Sequence, residues 1–115
     1  MKVKTKDLIG PALDWAVARA SGYTVDRSKG IQYFSGSDIE CNYSTDWGLG
    51  GPLIECMRTR GNFLLTAAES GCQATLIIGP RAFTAFGPPP LIASVRCYIA
   101  FKLGDVVDVP DKLLT

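Results

Sequence analysis

The spacing of apolar positions changes twice along the chain, from a helical period to an alternating one and back. Leu13, Ala16, Val17 and Ala20 fall at i, i+3, i+4 and i+7, which predicts a helix over Pro11–Ser21. Pro11 suits the first turn, where its missing N–H would have no partner, and Gly22 suits a left-handed stop. Thr5–Ile9 reads as an earlier turn capped by Thr5 and leading into the same helix. A second helix is predicted over Pro90–Leu103. Leu91, Ile92, Val95, Ile99 and Leu103 form its stripe, with Tyr98 beside it and Gly104 as its end. The prolines of Gly87–Pro90 impose an extended approach, because each disfavours the α region in the residue before it.

Between these helices the pattern is that of strands. Asn62–Ala68, Cys72–Ile78 and Ala82–Phe86 are short, apolar and separated by turn-like Glu-Ser-Gly and Gly-Pro-Arg, which predicts an antiparallel meander. Ile31–Phe34 and Pro52–Met57 are weaker strand candidates. Val3, between Lys2 and Lys4, and the Val-Val-Asp-Val run near the end are candidate edge strands. Helices at the two ends with strands between them do not form repeating βαβ units. The expected class is α+β, a single domain over 1–115 with both helices packed on one face of the sheet through one-sided stripes.

Composition sharpens this by exclusion. A chain of 115 residues that is 47% hydrophobic can bury a core without staples. A net charge of +1 offers no broad electrostatic footprint for nucleic acid or a membrane surface. Charge is uneven only at the ends, where Lys2, Lys4 and Lys6 could pair with Asp105, Asp108 and Asp111 across neighbouring strands. The opening residues show no leader pattern and no segment reaches transmembrane length, so a cytoplasmic location is expected. Cys41, Cys56, Cys72 and Cys97 contain no CxxC pair, and the chain has no histidine. Reduced, buried thiols and no metal are therefore expected. The lack of histidine also removes Ser-His-Asp and Cys-His catalysis and the usual neutral-pH proton shuttle.

One stretch stands out chemically: Tyr43-Ser44-Thr45-Asp46-Trp47, followed by Gly-Leu-Gly-Gly-Pro. Tyr43 and Trp47 offer flat faces with polar tips, and Ser44, Thr45 and Asp46 offer donors and acceptors. Together they could stack and hydrogen-bond a base or ribose. Gly50 and Gly51 would let the backbone come close. The competing reading is structural: Trp47 in the core, local turn bonds from Ser44–Asp46, and glycines that reverse the chain before an extended exit at Pro52. Arg96 reads either as a snorkelling side chain on the second helix, the favoured option, or as the inward basic group of a pocket. Glu40, Asp46 and Glu55 show no pairing suited to acid–base catalysis, and Arg58 and Arg60 fit a solvated face as well as a phosphate contact.

Tyr43–Glu55, Gly87–Pro110 and the opening Met1–Gly22 together resemble the NinX-like proteins of tailed phages and prophages. The resemblance does not extend over Thr59–Phe86. Relatives carry a hydroxyl residue where Pro89 stands and a small residue where Pro11 stands. The family resemblance implies a small phage accessory protein in the host cytoplasm and carries no catalytic residues with it. The resulting expectation is a non-enzymatic protein without a cofactor that binds a small nucleotide-like molecule, such as a defence signal. The ligand-binding set would be Tyr43, Ser44, Thr45, Asp46, Trp47, Gly50, Gly51 and Arg96. An inhibitor of a host protein that uses the Tyr43–Gly51 loop as its hot spot is the alternative, and a small hydrolase ranks third. Self-association into a homo-oligomer is a further option for its partners.

Overall fold

The computed structural model describes residues 1–28 and 30–113, without the side chain of Ala68. Among these residues the α+β class holds, with three helices and antiparallel strands in one globule. In order, the elements are β1 (Lys2–Lys4), a 3-10 turn (Thr5–Asp7), α1 (Gly10–Ala20), β2 (Val25–Asp26), β3 (Tyr33–Phe34) and α2 (Trp47–Arg60). Then follow β4 (Asn62–Ala68), β5 (Gly71–Ile78), β6 (Arg81–Gly87), α3 (Pro90–Leu103), β7 (Val106–Asp108) and a closing 3-10 turn (Asp111–Leu113).

The expected meander is present. β4, β5 and β6 pair in sequence order, with Leu64 opposite Thr75 and Thr75 opposite Thr84. The edge-strand candidates at the ends also meet: β1 and β7 pair antiparallel, with Val3 opposite Val107. Lys2 stands opposite Asp108, yet the ion pairs to Asp108 and Asp111 come from the amine of Met1. β2 and β3 form a separate two-residue ladder, so only the end of the Ile31–Phe34 candidate is strand.

Three local expectations are corrected. Pro52–Met57 is not a strand, and the glycines before it are not a turn; both lie inside α2. The stripe reading of α3 is too narrow, because Leu91 and every residue from Ala93 to Ala100 are buried. A helix buried all round sits between layers, and α3 does so, with β5 and β6 on one side and α1 and α2 on others. α1 therefore packs chiefly on α3 rather than on the sheet. Finally, Thr5 does not cap a turn that runs into α1. Its hydroxyl donates to the carbonyl of Gly104 at 2.6 Å, and Leu8 and Ile9 are extended.

Both predicted helix stops behave as expected, with Gly22 at φ 85° and Gly104 at φ 94°. α3 begins after Pro89, which supplies no side-chain cap. The core combines Leu8, Leu13 and Val17 from the N-terminal region with Met57, Leu76, Val95 and Ile99. Val107 and Val109 close it from the far end of the chain.

Candidate functional site

Construction of the site begins at Asp46. Its side-chain Oδ1 accepts from the N–H of Gly48 at 2.7 Å, the hydrogen bond of a helix N-cap, and α2 starts at Trp47. The glycines follow within the first turn and a half. Gly50 is buried where a Cβ would overlap Cδ1 of Leu91 on α3, whereas a Cβ on Gly51 would meet nothing. Glycine at 50 therefore sets how closely α2 approaches α3 and leaves no free backbone for a ligand. Pro52, the sixth residue of α2, lies inside the helix and removes the backbone hydrogen bond to Gly48, yet the helix continues to Arg60.

Upstream, the loop is tied down by its neighbours. The N–H of Ser44 donates to Oδ1 of Asp14 on α1 at 2.7 Å, and the thiol of Cys41 donates to the carbonyl of Asp14 at 3.5 Å. Burial pushes the Asp14 carboxyl up to about 6, against the opposing effect of the Ser44 hydrogen bonds. Burial likewise pushes the Cys41 thiol to about 12 and the Cys97 thiol to about 11, so neither is poised as a nucleophile. All four cysteines are free, but Cys56 and Cys72 are only half-buried.

The eight residues singled out from the sequence do not form one surface. Tyr43 is buried, edge-on to Phe34 with ring centroids 5.8 Å apart, and burial pushes its phenol up to about 12. Trp47 is not in the core; half of its surface faces solvent. Thr45 donates to the carbonyl of Asn42 at 3.4 Å, a local turn bond. Arg96 does not snorkel. Its Nε and Nη2 donate to the carbonyl of Leu8 at 3.0 and 2.9 Å, and Nη1 donates to that of Phe86 at 2.8 Å. It lines a separate cleft of about 300 Å³ with Lys6, Cys72 and Phe86.

A larger cleft of about 560 Å³ lies beside the loop. Tyr43 and Tyr98 line its deep side, and Tyr23 and Phe34 stand in edge-to-face contact at 5.4 Å. Ser21, whose hydroxyl is 3.2 Å from that of Tyr98, adds a polar point, as do Ser35 and Ser37. Gly48, Leu49, Pro52 and Leu53 of α2 form another wall. Among the described residues no charged side chain lines it. Only Tyr43 of the sequence-derived aromatic pair contributes. Tyr23, Phe34 and Tyr98 were missed because they come from three distant segments; their aromatic character was the only available signal.

The described residues contain no group of three or more His, Cys, Asp or Glu side chains placed to hold a metal ion. No helix among them is long and apolar enough to cross a membrane. A family model described as "Bacteriophage P22, NinX" matches residues 4–102, including the Thr59–Phe86 stretch where the three quoted blocks leave a gap. No curated protein matches the chain. The chain belongs to the Bacteriophage P22 NinX family.

Proposed function

From its place in the NinX family, we propose that this phage protein is a non-enzymatic binder of a small nucleoside-like molecule, held in the cleft formed by Tyr23, Phe34, Tyr43 and Tyr98. The observation that carries this reading is the make-up of the cleft wall: aromatic rings and serine hydroxyls, with no charged side chain among the described residues. Rings suit stacking, and hydroxyls suit the polar edge of a base or the hydroxyls of a ribose. Among the described residues that line the cleft a phosphate would find no cation, and Asp46 at the start of α2 opposes an anion there. The base and sugar therefore enter, and any phosphate of a nucleotide-like signal points to solvent. Sequestration of such a molecule in the host cytoplasm would be the biological role.

Calorimetric titration with nucleosides and cyclic nucleotides, alongside native mass spectrometry of protein purified from infected cells, tests this. Binding is expected, and Tyr23→Ala should weaken it by about 1–3 kcal/mol, the worth of one stacking contact. Tyr23 is exposed, so this change should leave the fold intact. No retained small molecule and no heat with any of these probes would count against the proposal. A second reading is favoured by Trp47: a half-exposed tryptophan outside the cleft is a fitting anchor for a host protein.

A further inference from the structure

β4 is an edge of the three-stranded sheet, and its outer side meets no other strand among the described residues. Edge strands are usually protected by charge, proline or a bulge. β4 has none of these: Asn62-Phe63-Leu64-Leu65-Thr66-Ala67-Ala68 is uncharged throughout and pairs with β5 in unbroken register. Leu64 is 52% exposed and Leu65 43% exposed, on opposite faces of one strand.

The hairpin register determines which backbone groups are free. Ala68 stands opposite Gly71 across a two-residue connection, so that pair is hydrogen-bonded, as are Thr66–Gln73, Leu64–Thr75 and Asn62–Ile77 by alternation. Phe63, Leu65 and Ala67 then turn their N–H and C=O groups outward. The opposite edge obeys the same alternation. Phe86 on β6 faces away from β5, and its carbonyl is taken by Arg96. No such side chain covers β4 among the described residues.

We infer that β4 pairs antiparallel with β4 of a second copy of this chain, about a two-fold axis at Leu65, to make a continuous six-stranded sheet. The self-pairing is isologous and brings no like charges together within the strand. In this register Leu65 meets Leu65 of the second copy, and Phe63 meets its Ala67. Charge at the strand ends selects the antiparallel sense. Arg60 precedes the strand and Glu69 follows it, both exposed and outside the ion pairs found among the described residues. Antiparallel pairing sets Arg60 of each copy beside Glu69 of the other, while parallel pairing would set like beside like. An interface built on one strand pair lies at the small end of the size range, so the dimer should form at about micromolar concentration or above.

Sedimentation velocity over a concentration series is the test. A monomer–dimer equilibrium is expected. Leu65→Lys, which places two ammonium groups at the axis, should raise the dissociation constant at least tenfold while the circular dichroism stays unchanged. Arg60→Glu and Glu69→Arg should each weaken the dimer, and the double variant should restore it. A protein that stays monomeric up to about 1 mM, a dimer indifferent to Leu65→Lys, or a double variant no better than the singles would overturn the inference.

Discussion

The backbone N–H of Ser44 reaches Oδ1 of Asp14 at 2.7 Å, so a buried carboxylate on α1 holds the loop that enters α2. This bond joins segments thirty positions apart and fixes where Tyr43 enters the core. The carboxylate is held at a cost, since burial raises its pKa.

That cost should appear as a pH dependence of stability. Folded Asp14 takes up its proton at about 6, and the unfolded chain does so at the ordinary 3.8. Between these values the folded state carries the extra proton. The contribution is therefore fully present below about pH 4, is lost as pH rises through 6, and is level above that. The change amounts to about 3 kcal/mol. Asp14→Asn keeps an acceptor for Ser44 and should remove this slope, which urea denaturation of both proteins from pH 4 to 7 would reveal. Parallel profiles would show that Asp14 is not the group responsible.

Arg96 is a clamp between chain segments. Its guanidinium serves the carbonyls of Leu8 and Phe86, and burial lowers its pKa against the opposing effect of the Asp7 charge. Arg96→Leu should leave two carbonyls without their donors and cost about 2–5 kcal/mol. Arg96→Lys cannot reproduce the fork and should recover only part of the loss. Chemical denaturation would measure both. A loss below about 0.5 kcal/mol for the leucine variant would deny the clamp.

Adjacent glycines in α2 should respond differently to alanine. At Gly50 the new methyl overlaps buried Leu91, and forcing α2 and α3 apart should cost about 1–3 kcal/mol. At Gly51 nothing beyond its chain neighbours meets a new Cβ, but Pro52 follows and disfavours a helical alanine before it, which offsets the gain in helix propensity, so stability should move by no more than about 0.5 kcal/mol. Melting temperatures that fall equally for the two variants would contradict the packing argument.

Trp47→Ala should cost at most about 1 kcal/mol of stability, because the ring is half in solvent and leaves no closed cavity. It should also leave small-molecule binding in the tyrosine cleft unchanged. If Trp47 anchors a host protein instead, the same variant should abolish that capture. Titration with nucleosides and pull-down from infected cells, run on one preparation, separate these outcomes.

The strongly periodic parts of the fold were legible in the sequence. α3 lies on its expected residues, α1 is displaced by one position, and β4–β6 match within a residue at either end. Each carries its own signal: a 3.6-residue period closed by glycine, or short apolar runs between turn residues. α2 was hidden because Gly48, Gly50, Gly51 and Pro52 are poor helix formers packed into its first half. Asp46 as a cap, and the buried spacing of Gly50, Leu53 and Met57, were the signals that pointed the other way. Tertiary packing outweighs propensity there, since Gly50 brings α2 against Leu91. The cleft and the Arg96 clamp could not be read in advance for a different reason. Tyr23, Phe34, Tyr43 and Tyr98 meet only when four segments fold together, and Leu8 reaches Arg96 across eighty-eight positions. Local sequence determines which elements form, whereas their closure around one another decides which side chains share a surface.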